Sequence, residues 1–342
     1  MTARRAFRPA SHTVRWWSVL TTHFKPFARM TIVIVGILAA SPVSAQQTWQ
    51  TTRTEWGDPD IEGTWLTANT AGFPLQRPAD DGDDSLLREL VDGGVVEATL
   101  LNEGVPPLPR EQDRRMALDE WRRTHFAWGT LVVEPQDGRL PPLTASALER
   151  ARTTWHSSSQ TVGPWNRASD LGPTERCISR GVLGSMLPSF DYHGTEIVQA
   201  PGVVIIRSEA IHEARVVPLD DRPRLGPSIR AYTGEPRGYW DGDTLVVETT
   251  NFNGRTGAHF GGNEVPTSEH LRLIEHFTRV SDTSIEYQMT VEDPDTWMRP
   301  WTAAFPLTRD DAYEWSEYAC HEGNYALRNI LSAARTLERQ RP

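Results

Sequence analysis

The feature that most constrains the fold is a long series of short β-type runs that begins after Tyr192. Nine strand candidates fall within about 130 residues, and turn signals such as PG, DDRP, DGD and SDTS separate them. They read TEIVQA, GVVIIRSE, IHEARVVPL, RGYW, DTLVVETTNF, LRLIEHFTRV, SIEYQMTVED, PWTAAFPLT and AYEWSEYAC. A meander of this kind most economically closes into a barrel, because closure removes exposed strand edges. The sequence therefore predicts a mainly β protein whose core, residues 191–342, is an antiparallel barrel able to hold a small ligand.

The flanking regions carry weaker patterns. Residues 46–190 are predicted to pack on the barrel as a mixture of strand, helix and loop, with strand candidates in DIEGTWLTAN and GTLVVEP. Two helix-like pieces, SLLRELV and EQDRRMALDEWRRTHFAW, lie between those strands, whereas residues 153–190 show no clear period and are predicted to be loop. At the other end, EGNYALRNILSAARTLERQ has apolar residues at spacings of three and four, which predicts an amphipathic helix packed on the barrel.

The first 45 residues are typical of a secretory signal peptide. They contain six basic residues and no acidic one, and the apolar run MTIVIVGILAA precedes the sequence SPVSAQQ, where cleavage after Ala45 is expected. The apolar run is too short to span a bilayer, although an uncleaved anchor is the alternative. We therefore expect a periplasmic or secreted protein without a stable membrane span after cleavage.

The charge balance and the lysine content exclude several classes of function. Without the signal, 29 of the 35 basic residues and all 45 acidic residues remain, so the mature net charge is −16. Such an acidic chain is a poor partner for nucleic acid or for an anionic membrane surface. Because Lys25 is the only lysine, the mature chain cannot use a Schiff-base lysine, a Ser–Lys dyad or a phosphate-binding P-loop. Its 11 tryptophans suit a large core or a pocket that stacks flat rings.

Two cysteines, Cys177 and Cys320, remain in the mature chain. In an exported protein the expected arrangement is one disulfide, which would tie the middle of the chain to its end and contribute on the order of 4 kcal/mol. A cysteine-ligated metal is the alternative, but the chain has no CxxC spacing to support it.

Three strand candidates place an acid on the face that should point inward, since successive side chains alternate between faces. The acids are Glu275, Glu317 and Asp293, and Tyr287 and Trp315 lie on the same faces as two of them. Burying a carboxylate costs several kcal/mol unless it is paired or protonated. Either the acids pair with arginines and stabilise the barrel, or they line a polar pocket with raised pKa values.

Two further stretches combine histidine with an acid. The hairpin IIRSEAIHEARVV carries Glu209 and His212, which could project from one rim of the barrel and form an acid–base pair, although a solvent-exposed histidine is equally compatible. In SEYACHEGNY, His321 and Glu322 follow Cys320 at the start of the C-terminal helix. The helix dipole explains Glu322 but does not explain His321.

The same residues allow a metal hypothesis. His212, His321 and Glu322, supported by Glu209, would suit zinc or a related ion, although no HExxH motif is present. The preferred expectation is that no cofactor is needed.

Five motifs together resemble a large family of exported, mostly uncharacterised bacterial proteins. The motifs are IHEARVVPLDDRP, PRGYWDGDTLVVETTNF, LIEHFTRV, TVEDPDTWMRPWT and EYACHEGNY, and the resemblance covers roughly residues 46–335. They fall on Glu209, His212, Asp241, Glu275, Arg299, His321 and Glu322. This resemblance implies little about chemistry. The predicted barrel and the early GTW sequence are also similar to calycins, the lipocalin-like barrel proteins.

These patterns favour an exported enzyme that acts on a small apolar or cyclic molecule by elimination, isomerisation or cyclisation, with hydrolysis second. His212 would be the acid or base, oriented by Glu209, with Glu275 in the cavity and His321 and Glu322 on its rim. The residues expected to contact the substrate are Glu317, Trp315, Arg299, Tyr287 and Asp293. The alternatives are a lipocalin-like binding protein without catalysis and an interaction module that exposes the tryptophan-rich N-terminal helices.

Overall fold

A computed structural model describes residues 49–67, 75–77, 130–154, 165–188, 194–258 and 265–340. The chain divides into two compact units, Met1–Gln47 and Thr48–Pro342, and all described residues belong to the second. The predicted signal peptide and the two helix-like pieces between residues 85 and 128 lie outside the described residues, as does any interaction surface on those helices. Within the described part of the chain, no helix is both long and apolar enough to cross a membrane.

Ten antiparallel strands form one sheet that curls into a nearly closed barrel. The strands of the sheet are β1 (Gly63–Leu66), β2 (Val132–Glu134), β3 (Gly194–Ala200), β4 (Val203–Ser208), β5 (Ala214–Pro218), β6 (Glu235–Asp241), β7 (Thr244–Thr250), β10 (Arg272–Ser281), β11 (Ser284–Glu292) and β12 (Trp301–Arg309). Their order is β5-β4-β3-β1-β12-β11-β10-β7-β6, with β2 paired to β12. A separate pair is formed by β8 (Gly257–Ala258) and β9 (Val265–Pro266). The predicted antiparallel barrel is therefore confirmed.

The two end strands of the sheet, β5 and β6, approach each other closely. A Cβ added to Gly238 of β6 would lie 2.8 Å from side-chain atoms of both Val217 and Leu219. Only a residue without a side chain allows this approach, so Gly238 lets the end of the sheet come close to Val217 and Leu219.

Strand alternation builds the core. In β10 and β11 every second residue is buried over most of the strand. Phe277, Tyr287 and Phe305 lie opposite one another on β10, β11 and β12, and their ring centroids are 4.8 and 5.1 Å apart. Tilted aromatic pairs at these separations are favourable beyond the area they bury, so this row fixes the register of three strands.

The described helices are short, apart from the last. They are α1 (Ala145–Thr153), α2 (Gly181–Met186), α3 (Cys320–Gly323) and α4 (Tyr325–Gln340). The predicted C-terminal helix is confirmed as α4, and Arg335 on it donates to the carbonyls of Trp165 and Asn166. The prediction of loop over residues 153–190 misses α2, because this helix is buried on nearly all sides and shows no amphipathic period.

Eight of the nine strand candidates form strands, although IHEARVVPL pairs only from Ala214 onward. The prediction of a ninth strand over AYEWSEYAC is wrong. These residues, 313–319, form an irregular segment on the barrel rim, which we call the rim segment. The preceding strand, β12, already has strands on both sides, so no free edge remains beside it. The alternation in the rim segment has another cause, which lies in its side-chain contacts.

Candidate functional site

The turn between β4 and β5 directs polar side chains to several parts of the molecule. Ile211 and His212 both have left-handed backbone angles, with φ of 59° and 54°. A β-branched residue in this region is strained, which marks the turn as a position held by its surroundings. Backbone hydrogen bonds from Ser208 to Glu213 and from Glu209 to Gly194 hold it in place.

Glu209 is buried and holds the rim segment against the barrel. Its carboxylate accepts hydrogen bonds from the Tyr313 hydroxyl at 2.7 Å, from the Ser316 amide at 3.1 Å and from the Gly194 amide at 3.2 Å. Burial, and then the hydrogen bond to Glu209, raise the pKa of Tyr313 above its ordinary value. A Cβ on Gly194 would lie 3.2 Å from both Glu209 and Tyr313, so the rim segment passes very close to β3.

His212 is exposed and also binds the rim segment. Its Nε2 accepts the Tyr318 amide at 3.2 Å, and its ring lies edge-on to the Tyr318 ring with centroids 6.3 Å apart. Because Nε2 is the acceptor, the neutral ring carries its proton on Nδ1. The hydrogen bonds of Glu209 run to Gly194, Tyr313 and Ser316, so each of the two residues binds the rim segment. The structure thus places the predicted acid–base pair on one turn, where both members position the same segment.

Glu213, which no sequence pattern had singled out, lies immediately before β5. Its carboxylate accepts from the Ser179 hydroxyl at 2.5 Å and from the Arg180 amide at 3.2 Å. Burial raises the pKa of Glu213, although these two hydrogen bonds oppose the shift. The adjacent cavity, of about 10 Å³, has room for one water and is also lined by Arg215 and Ser185. Extending the alternation of β5 back by one step from Arg215 would have identified this acid.

Glu275 is fully buried inside the barrel, as alternation predicts, and it is paired. Two guanidinium nitrogens of Arg215 contact its two carboxylate oxygens, and the Tyr287 hydroxyl donates to it at 2.7 Å. Burial disfavours the charged guanidinium, but the ion pair with Glu275 outweighs this and the pKa of Arg215 is raised. Burial together with the negative charge of Glu275 raises the pKa of Tyr287 well above its ordinary range. The arrangement corresponds to the first interpretation of the inward acids, in which an arginine satisfies the carboxylate.

Asp293 is also buried and satisfied locally. It accepts from the Ser268 hydroxyl and the Thr296 hydroxyl, both at 2.6 Å, and from the Ser268 amide at 2.7 Å. These contacts organise the turn after β11. Arg299 is exposed on the following loop.

The remaining predicted residues lie on the rim segment and on α3. Glu317 is exposed, so its predicted inward orientation is wrong: the segment that carries it is not a strand of the barrel. Trp315 is half-buried under the guanidinium of Arg207, which lies 4.3 Å from its ring centroid. His321 and Glu322 are exposed on α3. The structure therefore does not gather Glu275 and His321 around one cavity.

Across the described ranges, no three or more His, Cys, Asp or Glu side chains are grouped in a way that could hold a metal ion. The structure accordingly does not assemble His212, His321 and Glu322 as a ligand set.

The predicted disulfide between Cys177 and Cys320 is confirmed, with the Cα atoms 5.8 Å apart. Asn324 reinforces this corner: its Nδ2 donates to the Glu175 carbonyl at 2.8 Å and to the Cys177 sulfur at 3.3 Å. Its Oδ1 accepts the Leu327 amide at 3.2 Å and so caps the beginning of α4. One asparagine thereby joins the disulfide to the helix.

An open groove of about 470 Å³ lies at this corner, and we call it the corner groove. Its wall is formed by residues of α4, the 171–175 loop, the end of the rim segment, α3 and Asn324. The lining residues are Leu171, Thr174, Glu175, Glu317, Tyr318, Ala319, Cys320, Gly323, Asn324, Ala326, Leu327 and Ile330. Its lining residues come from two stretches far apart in the sequence, 171–175 and 317–330, which are joined by the disulfide and by the hydrogen bonds of Asn324.

Glu317 and Tyr318 connect the corner groove to the residues predicted from sequence. His212 positions Tyr318 by accepting its amide. Glu317, which the sequence predicted to contact a substrate, lines the corner groove. No family model, curated protein or solved structure matches this chain. The family resemblance of its motifs therefore stays a prediction.

Proposed function

We propose that this chain is an exported protein that binds a small, largely apolar or cyclic molecule in the corner groove. The observation that carries the proposal is the groove itself: its volume falls in the range typical of ligand sites, roughly 300–1,000 Å³. Apolar side chains of Leu171, Leu327 and Ile330 line it beside polar groups of the rim segment. Sites of this kind bind the apolar body of a ligand and use a few polar groups to orient it.

The filled interior of the barrel also supports a ligand site in the corner groove. The inward positions near its middle are occupied by the Arg215–Glu275 pair and by the aromatic row of Phe277, Tyr287 and Phe305. A ligand placed there would have to displace a buried ion pair, which is strongly unfavourable. The corner groove requires no such displacement, so a lipocalin-like binding function would use the outside of this barrel.

The test compares two substitutions on the same helix. Leu327→Gln changes the groove wall, whereas Leu337→Gln changes an exposed leucine of α4 that does not line the groove. The mature protein would first be analysed by native mass spectrometry for a retained small molecule, and its affinity for that molecule would then be measured by calorimetry. We expect Leu327→Gln to weaken binding at least tenfold and Leu337→Gln to leave it unchanged. Equal affinities in both variants, or no bound molecule of any kind, would contradict the proposal.

A second candidate function is acid–base catalysis on the same class of molecule. The observation that favours it is the position of His212, whose ring lies edge-on to the ring of Tyr318 and accepts its amide. Tyr318 lines the groove and directly follows Glu317, whose carboxylate is the second group that could carry a proton. Elimination, isomerisation or cyclisation needs only two positioned proton carriers. The test is chemical: the bound molecule is incubated with the wild type, with His212→Ala and with His270→Ala as a control at an exposed histidine that does not line the groove. Conversion that is lost only in His212→Ala supports catalysis, and no conversion by the wild type contradicts it.

A further inference from the structure

The charges that line the corner groove have one sign. Glu175 and Glu317 are the Asp, Glu, Lys, Arg or His side chains among its lining residues, and both are acids. Glu175 already accepts the Gly172 amide at 3.0 Å through one oxygen. Glu317 has no hydrogen-bond or ion-pair partner among the described residues and is exposed at the end of the rim segment. The groove therefore presents a free carboxylate beside an apolar wall.

Two nearby positive groups have to be weighed against these acids. The guanidinium of Arg180 lies 6.0 Å from the centroid of the Tyr318 ring, but Arg180 is buried and is not part of the groove lining. The beginning of α4 also faces this corner, and a helix N-terminus corresponds to about half a positive charge. Asn324 caps it by accepting the Leu327 amide. The helix end is capped and Arg180 lies off the lining, so Glu317 is the lining acid for which the described residues supply no partner.

We propose, on the basis of the function proposed above, that the ligand of the corner groove is a monocation carried on an apolar body, such as an alkyl- or cycloalkylammonium ion. The ammonium group contacts the Glu317 carboxylate, and the apolar body packs on Leu327 and Ile330 of α4. Because the carboxylate attracts a positive charge, the groove should bind the cation more tightly than a neutral molecule of the same shape. The apolar contacts provide most of the affinity.

The experiment uses three probes with one apolar cage and three different head groups: 1-adamantanamine, 1-adamantanol and 1-adamantanecarboxylate. Binding of each probe to the disulfide-bonded mature protein is measured by calorimetry at low ionic strength. We expect the amine to bind most tightly and the carboxylate least tightly. The preference of the amine over the alcohol should be roughly two- to fivefold, which is the effect of one solvent-exposed charge pair. This preference should shrink in 0.5 M salt, because salt screens exposed charges.

Two substitutions with the same change in net charge locate the effect. Glu317→Gln removes the groove carboxylate with little change of shape, and Glu322→Gln removes an exposed carboxylate of α3 that does not line the groove. We expect the amine to lose its preference over the alcohol in Glu317→Gln and to keep it in Glu322→Gln.

The outcomes separate the two proposals. If none of the three probes binds and no other ligand is retained, the binding function fails together with the charge preference. If all three bind equally, or if the carboxylate binds best, the groove is a binding site but the inferred cation is wrong. An equal loss of preference in both variants would attribute it to the overall acidity of the chain and would overturn the role of Glu317.

Discussion

The inside of the barrel and the corner groove use the same kinds of side chain, acids beside aromatic and aliphatic residues, in different states. Inside, Glu275 is matched by Arg215 and Tyr287, and all three are buried. At the corner, Glu317 borders an open groove and has no hydrogen-bond or ion-pair partner among the described residues. A fully buried carboxylate has to be matched, because its desolvation costs several kcal/mol. Inside the barrel the carboxylate is therefore neutralised by its partners, whereas Glu317 keeps an exposed carboxylate beside the groove, which is the group that the proposed ligand would contact.

The largest effect is expected from breaking the interior pair. Glu275→Gln leaves the guanidinium of Arg215 buried without its counter-charge, and removal of one partner of a buried ion pair typically costs about 3–5 kcal/mol. Urea unfolding followed by fluorescence measures this loss of stability.

A double substitution provides the control for the interior pair. Arg215→Met combined with Glu275→Leu removes both charges and keeps apolar volume, so it should recover much of the stability lost in the single variant. A single variant as stable as the wild type would show that the pair is not a structural requirement of the barrel.

The next effect is expected from opening the corner. Replacing both cysteines, Cys177→Ser with Cys320→Ser, releases a loop closed over 143 residues and should lower the free energy of unfolding by about 2–4 kcal/mol. The barrel ion pair is untouched, so far-ultraviolet circular dichroism should still report the native sheet. Ligand binding in the corner groove should be lost, because Cys320 and its neighbours form part of the wall. A variant that still binds with wild-type affinity would show that the groove forms without the disulfide.

The two regions also differ in how far the sequence predicts them. The barrel follows from strand alternation, and Glu275 is predictable because the residues around it alternate in a segment that does form a strand. The rim segment shows the same alternation for a different reason: Tyr313 and Ser316 bind Glu209, and Tyr318 binds His212. Local pattern cannot distinguish side chains that point into a barrel from side chains that attach a segment to its rim. The groove was not predicted: the two cysteines indicate which stretches meet, but no local pattern shows that their meeting leaves an open space.

A smaller effect is expected from loosening the rim segment. Glu209→Gln keeps one acceptor oxygen but presents an amide group to donors that the carboxylate now satisfies, and an unsatisfied buried donor costs about 1–3 kcal/mol. Hydrogen–deuterium exchange should show faster exchange of the Ser316 and Tyr318 amides, while amides of β10 and β11 stay protected. Glu314→Gln, at an exposed acid of the same segment, is the matched control and should leave exchange unchanged. Equal protection of Ser316 in both variants would remove Glu209 from this role.

The smallest effect is expected from one hydroxyl of the rim segment, and its signature is a pH dependence. Tyr313→Phe removes the hydrogen bond to Glu209 and should cost about 0.5–1.5 kcal/mol near neutral pH. Burial and the Glu209 contact raise the pKa of Tyr313 in the folded protein, whereas in the unfolded chain it ionises near its ordinary value of 10.0. The stability that the hydroxyl contributes is therefore fully present below pH 10 and is lost as the pH rises through the folded pKa.

The measurement is urea unfolding of the wild type and of Tyr313→Phe at a series of pH values, and the difference between their free energies of unfolding should shrink above pH 10. Tyr325→Phe, at an exposed tyrosine, controls for the change in tyrosine number. A difference that stays constant through this range would mean that the pKa of Tyr313 is the same in the folded and unfolded states, and no difference at any pH would mean that its hydrogen bond to Glu209 does not stabilise the fold.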